Sequence, residues 1–458
     1  MSRVLPAVDS SRNLNVSKSI QFKSAVELLD AILAGTLPAD AQIERYFRAH
    51  PRLGVRDRGW VAETVYACLR RRRSLAFLAS GGNGLDAPPD AVVAAALVTL
   101  QGVSGRVVAD SGYSGNASAL VERARTLDKS QWPLAIQLDL PDWLLERLLD
   151  QYGEEETRAL AGALNQPATL DLRVNTLKAA RDDAATCLAE EGLPAEATPF
   201  SPTGLRRRER APLFNTRCFK DGLIEVQDEG SQLLSLLVEP RRNEMVVDFC
   251  AGAGGKTLHL ATLMANTGSV YAFDISAKRL ERLKPRLRRA GLHNVRSIVI
   301  AHERDARVLR LAGKIDRVLV DAPCSGTGTL RRNPDIKWRQ LDIDKLAQTQ
   351  RAILAAAAIL VKPGGRLVYA TCSLLREEND AVVAGFLTTH PDFLPISAAD
   401  ILARRQIVLP ASRPASDAST TGPGTQTGTE APAALALRLF PHRHQTDGFF
   451  AMAMERRR

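Results

Sequence analysis

Two cysteines stand where apolar runs end. In DRVLVDAPCSGTGTLRRNPDIKW (Asp316–Trp338), Cys324 follows an apolar strand-like segment closed by Asp321 and Pro323, and the small residues Ser325, Gly326 and Gly328 leave room for a planar ring. GGRLVYATCSLLREEND (Gly364–Asp380) brings Cys372 out in the same way one strand further on. A lone thiol at a strand end is most often inert packing, because free cysteine behaves as a small hydrophobe. Two thiols at consecutive strand ends are expected to face one pocket, and beside a methyl donor such a pair suits methylation of a pyrimidine. Carbon 5 of cytosine is a poor nucleophile, but a thiolate that adds to carbon 6 makes carbon 5 enamine-like and able to take a methyl group from a sulfonium. The second thiol then helps to remove the carbon 5 proton or to eliminate the adduct. An unperturbed thiol, with a pKa of about 8.5, is only a few per cent ionised near neutral pH, so the attacking one needs electropositive or helix-start surroundings. Asp321 is placed to hydrogen-bond the ring at N3 and its amino edge.

The methyl donor is sought in EMVVDFCAGAGGKTLHLA (Glu244–Ala261), which reads as a strand, a glycine-rich turn and a helix start where backbone approaches a ligand. A phosphate-cradling loop would need glycine where Cys250 stands, and a dinucleotide fingerprint would need glycine or alanine where Thr257 stands, so both patterns fail. The next strand, SVYAFD (Ser269–Asp274), ends in a carboxylate suited to a ribose diol, so an adenosine-type ligand survives. With no pyrophosphate to cradle, S-adenosylmethionine is the candidate, and Asp248 lies beside the loop to serve its sulfonium. Asp305, after the strand at Val295–Ile300, reads either as an adenine contact or as a solvated loop residue. Lys256 is either solvated or an electrostatic tie within the site.

These side chains need a sheet to carry them. From Met245 onward strand and helix patterns alternate, which predicts an α/β domain over 241–458 built on a parallel doubly wound sheet, with its ligands at the carboxyl edge. Before it, TLDLRVNTL (Thr169–Leu177), a helical Ala179–Glu191 and IEVQDEGSQLLSLLV (Ile224–Val238) predict a small α/β subdomain over 166–240. Residues 129–165 read as a helical linker, and residues 20–128 as an all-α domain opened by the capping box of Ser24 and Glu27, after a flexible tail over 1–19. The segment 410–434 is rich in Ser, Thr, Gly, Pro and Ala with no large apolar residue, and is expected to be a disordered loop.

Composition sets the remaining bounds. The chain has 458 residues, 45% hydrophobic and 24% charged, ordinary values for a folded protein of two or three domains. The longest apolar run, Ala352–Val361, is too short for a bilayer, and the polar opening residues lack a signal-peptide core, so a cytoplasmic protein with no membrane partner is expected. Its net charge of +10 favours an acidic partner such as nucleic acid. Six cysteines with no CxxC pair fit a reducing compartment and suggest no metal site.

The set LRVNTLK (Leu172–Lys178), VQDEGSQL (Val226–Leu233), DFCAGAGGKT (Asp248–Thr257), DAPCSGTGTLRRNPDIKW (Asp321–Trp338), YATCSLL (Tyr369–Leu375) and PHRHQTDGFF (Pro441–Phe450) resembles the RsmB-like (Sun/NOL/NOP) RNA cytosine-5 methyltransferases over residues 129–455. The resemblance implies a Rossmann-like methyltransferase sheet. It implies Cys372 as nucleophile, Cys324 as the thiol that assists product release, and Asp321 beside them. It further implies S-adenosylmethionine bound by the loop Cys250, Ala251, Gly252, Ala253, Gly254, Gly255 and Lys256 with Asp274, Asp305 and Asp321. The common family loop has proline where this chain has Ala253. The all-α region, including GVRDRGWVAETVYACLRRRR (Gly54–Arg73), resembles the NusB-like RNA-binding domain of the bacterial 16S ribosomal RNA members. That favours 16S rRNA over tRNA as substrate of a monomeric enzyme, with Arg70–Arg73 and Arg206–Arg210 as candidate phosphate contacts. The rivals are an enzyme that attacks with Cys324, as the DNA cytosine-5 methyltransferases do with the corresponding Pro-Cys thiol, and a non-catalytic RNA-binding factor.

Overall fold

The computed structural model describes residues 10–82, 84, 86–208, 212–410 and 432–458. The chain divides into two compact units, one formed by residues 1–166 with 330–340 and the other by 167–329 with 341–458. No helix among the described residues is long and apolar enough to cross a membrane.

The first unit is helical. Its core is made by Phe22, Leu28 and Leu29 of the helix Ser10–Ala34, Val65, Cys68 and Leu69 of the helix Val55–Arg70, and Val93, Ala94 and Leu97 of the helix Pro89–Gln101, all buried. The opening helix starts at Ser10, inside the stretch expected to be a tail over 1–19; once a turn is nucleated on the apolar face, polar residues extend it at little cost. Trp132 and Ile136 belong to the same core, so the segment expected to be a linker packs as part of this unit. The helix Asp142–Leu164 is broken at Gly153, which takes φ 77.

The chain also returns to this unit at residues 330–340. Lys337, 1% exposed, donates from Nζ to the carbonyl oxygens of Arg70 and Asp139, both at 3.0 Å, and to Asn165 Oδ1. Trp338 Nε1 donates to Leu69 O at 2.7 Å.

The second unit holds two sheets. The smaller comprises β1 (Leu170–Val174), β2 (Glu196–Ala197), β3 (Gly204–Arg207) and β4 (Ile224–Val226) in the order β2-β3-β1-β4, all antiparallel. The larger comprises β5 (Met245–Asp248), β6 (Ser269–Asp274), β7 (Val295–Val299), β8 (Ile315–Asp321), β9 (Val361–Thr371), β10 (Phe393–Ile396), β11 (Leu437–Leu439) and β12 (Phe449–Arg456). Its order is β10-β12-β9-β8-β5-β6-β7, with β11 also on β12. Strands β5 to β9 pair in parallel, as the alternating pattern predicts for a Rossmann-like sheet. The expected parallel sheet forms over these five strands, and β12 joins it antiparallel to β9, β10 and β11. Antiparallel pairing needs no helical crossover between strands, so a late strand can add beside β9 in that direction. Of the segment expected to be a disordered loop over 410–434, residues 411–431 lie outside the described residues, and a short helix covers Pro432–Leu435.

Candidate active site

The parallel register sets up the site. Asp248 on β5 lies opposite Leu319 on β8, and Asp321 at the end of β8 lies opposite Ala370 on β9. Both β8 and β9 therefore finish at the same level, and the residues that follow them, Cys324 and Cys372, emerge side by side. Their Sγ atoms are 3.3 Å apart. The thiols line a cavity of about 600 Å3 together with Asp248, Asp274, Asp321, Lys256 and the backbone of Cys250–Ala253.

The glycine-rich loop is held in place from several sides. Gly254 precedes the helix Gly255–Leu263 with φ 86, and a Cβ there would lie 2.2 Å from Leu283 Cδ1, so only glycine fits. Asp274 accepts from the backbone N–H of Gly252 at 2.8 Å and of Ser276 at 2.7 Å, which fixes its carboxylate at the cavity. Arg173, buried on β1, donates to Gly255 O at 2.8 Å, and burial lowers its guanidinium pKa to about 9. The small sheet thus props the glycine-rich loop.

Charge at the site is organised around Asp321. Lys256 Nζ donates to its Oδ2 at 2.7 Å. Burial opposes the ammonium charge, but Asp321, Asp248 and Cys372 outweigh it and raise the Lys256 pKa above its usual value. Cys324 is held well above the ordinary thiol range, first by its hydrogen bond with Cys372 and then by burial, so it keeps its proton. Asp248, 1% exposed, accepts from Thr257 Oγ1 at 2.7 Å through one oxygen, while the other has no hydrogen-bond partner. Burial above all raises its pKa to about 7. An orphaned buried carboxylate oxygen beside a cavity suits a ligand that carries positive charge, and the cavity volume suits a nucleoside-sized one. The residues present therefore fit S-adenosylmethionine.

A scan against family models matches residues 235–455 to the 16S rRNA methyltransferase RsmB/F model and residues 140–213 to the RsmF/B-like ferredoxin-like domain. A probable ribosomal RNA small subunit methyltransferase B of Synechocystis is 34% identical over 90% of this chain and 94% of its own length. The chain belongs to the RsmB/F family of methyltransferases. The corresponding Bacillus subtilis protein is also 34% identical, over 71% of this chain and 68% of its own. Among solved structures, that of PH0851 superposes with a TM-score of 0.70 at 27% identity, covering 95% of this chain and 99% of that one. A methyltransferase homolog from Pyrococcus horikoshii superposes with a TM-score of 0.57 at 30% identity, covering 71% and 97%. The cofactor is S-adenosylmethionine.

Most residues singled out by sequence meet at this cavity: Cys324, Cys372, Asp321, Cys250, Ala251, Gly252, Ala253, Gly255, Lys256 and Asp274 all line it. Gly254 does not line it and acts through backbone shape. Asp305 does not line it either. Its oxygens accept from Ala301 N–H at 2.9 Å and from the backbone and guanidinium of Arg307, so it shapes the 301–303 loop whose backbone the cavity does meet.

The basic runs need correction as free phosphate contacts. Arg70 is buried and donates to Arg331 O, and Arg73 pairs with Asp142 and Leu140 O. Arg206 is bound by Asp171 and Glu229, and Arg207 donates to Pro194 O. Arg210 lies outside the described residues. Sequence reasoning also passed over Gln227, Ser231 and Arg279 in the cavity wall, for which no spacing signal exists.

Proposed function

We propose that the chain methylates carbon 5 of a cytosine in RNA, the small-subunit ribosomal RNA, through a covalent bond between Cys372 and carbon 6. The observation that carries this reading is the 3.3 Å approach of Cys324 and Cys372 in the wall of a cavity that also holds Asp321 and the cofactor loop. Ribosomal RNA is favoured by the name of the Synechocystis relative, which is aligned over 94% of its own length.

The thiolate of Cys372 gives its electron pair to carbon 6, and the ring pair moves toward N3. Lys256 and Asp321, 2.7 Å apart, offer a donor and an acceptor to N3 and the amino group, which stabilises the addition. Bound S-adenosylmethionine supplies an electrophilic methyl group on a sulfonium. After the carbon 5 proton has gone to a base, the carbon 6–sulfur bond breaks and Cys372 takes back the pair. Cys324, protonated until this step, gives its proton to the departing Cys372 sulfur, which assists release, and regains one from solvent. The target base has to leave its stack to reach Cys372, so a single-stranded or extruded cytosine is the substrate form.

Single-cysteine variants test the assignment with unmodified 16S rRNA and labelled cofactor. Cys372→Ala is expected to transfer no methyl group and form no protein–RNA adduct. Cys324→Ala is expected to attack but release slowly, accumulating a denaturation-resistant adduct. An adduct in Cys372→Ala would overturn the reading.

A further inference from the structure

Each thiol of the pair is followed by a serine, Cys324-Ser325 and Cys372-Ser373, and both serines meet the same buried carboxylate. Glu378, fully buried, accepts at Oε1 from the Ser325 N–H at 2.8 Å and from Gln350 Nε2 at 2.9 Å. Its Oε2 accepts from the hydroxyls of both Ser325 and Ser373. The two hydroxyls also lie 3.2 Å from each other, and Thr327 Oγ1 is 3.3 Å from each. On the other side of Cys324, Gln350 Nε2 donates to Pro323 O at 3.0 Å. The backbone of the same residue is held by the buried Tyr369, whose hydroxyl donates to the Glu378 main-chain carbonyl at 2.6 Å.

We propose that Glu378 is a positioning residue for the two-thiol reaction: by binding the serine after each cysteine it sets the separation and aim of the sulfur atoms. The proposal rests on the cytosine-5 reading for its consequence, but the geometry it asserts exists without RNA. Two loops from different strands have no backbone ladder beyond Ala322 N–H to Ala370 O and Gly328 N–H to Cys372 O. Between those points the tips are joined by side chains: Leu374 N–H donates to Thr327 Oγ1 at 2.9 Å, the Ser325, Thr327 and Ser373 hydroxyls adjoin, and Glu378 is the buried acceptor shared by both serines. A buried carboxylate with four donors also costs much more to leave half-satisfied than a neutral contact would, so the arrangement is all-or-none.

The test reads the thiol separation directly. Diamide takes up the two thiol hydrogens, becoming its hydrazine, as Cys324 and Cys372 join in a disulfide; the rate is followed by the loss of both thiols in mapped peptides. In Glu378→Ala that rate is expected to fall about tenfold or more, and kcat for methyl transfer to fall about a hundredfold with the KM for S-adenosylmethionine little changed. Glu378→Gln, which keeps an acceptor at Oε1 and lets the hydroxyls accept from the amide, is expected to restore most of both. Should Glu378→Ala fail to fold, Ser325→Ala and Ser373→Ala carry the same test, each with a slowed coupling of the thiols. Folded variants that couple and methylate at the wild-type rate would overturn the proposal. If the wild-type protein methylates no cytosine but the variants still slow the coupling, the positioning stands and the functional reading fails.

Discussion

Asp248 is expected to tie cofactor binding to protonation. Its carboxyl titrates at about 7 instead of 3.8 because it is buried, with Asp321 and Asp274 adding to the effect and Thr257 opposing it. A raised folded-state pKa means that the folded protein binds more protons than the unfolded chain between the two values, so this group costs stability as pH rises through that window. A cation bound at the ionised form works in the opposite direction. Affinity for S-adenosylmethionine is therefore expected to rise between about pH 6 and about pH 8 with release of a proton, as calorimetry in buffers of different ionisation heat would show. Asp248→Asn is expected to weaken cofactor binding about tenfold or more while leaving Tm at pH 8 unchanged or higher, since it removes a costly buried charge. Undiminished affinity in that variant would place the sulfonium elsewhere. At this scale the sequence was informative where chemistry needs a residue type at a chain-determined place: Cys324, Cys372, Asp321 and Asp274 all follow strand ends. It was silent on Glu378, because nothing in REEND distinguishes a buried clamp from solvated acids. It was misleading at Arg70, Arg73, Arg206 and Arg207, because a run of arginines reads the same whether its members face water or carbonyl and carboxylate partners.

Among the elements, the loop between β5 and the helix Gly255–Leu263 tolerates little change at Gly254. Alanine at Gly254 would meet Leu283 at 2.2 Å in a backbone conformation with φ 86, a strain of about 1–3 kcal/mol. Gly254→Ala is expected to lower Tm and to reduce cofactor affinity by more than the Asp248 variant does, because relief of the clash displaces the whole 250–256 backbone. A crystal structure with the loop unmoved and affinity intact would contradict this. The parallel strands were legible from the alternating patterns, since fully buried strands read as continuous apolar runs such as MVV and RVLV. The antiparallel return of β12 was not, because residues FFAMAME specify a buried strand but not its partner or direction. The same limit hid the role of β1, whose Arg173 reaches Gly255 across a long separation in sequence.

For the whole molecule, the unforeseen feature is that residues 330–340, directly downstream of Cys324, fold with the helical unit. Lys337 is anchored there by three oxygen acceptors, and burial lowers its pKa to about 7. The unfolded chain then holds the proton more tightly than the folded one between about pH 7 and the usual value of 10.5, so this lysine makes the unit more stable as pH rises through that range. Lys337→Ala removes a buried donor shared by three oxygen atoms and opens a cavity, with an expected loss of about 3–5 kcal/mol measured by denaturant unfolding. A stability change near zero would show that the anchor is incidental. With a net charge of +10, RNA binding is expected to weaken steeply with salt, and the slope of log affinity against log salt counts the phosphates engaged. The central claim, attack by Cys372, is met most directly by incubating the wild-type protein and cofactor with 16S rRNA carrying 5-fluorocytosine. Fluorine blocks the loss that frees the enzyme, so the adduct persists and its peptide can be sequenced by mass spectrometry. The account predicts a methylated fluorocytosine joined to Cys372; a bond to Cys324, or no covalent product, would contradict it.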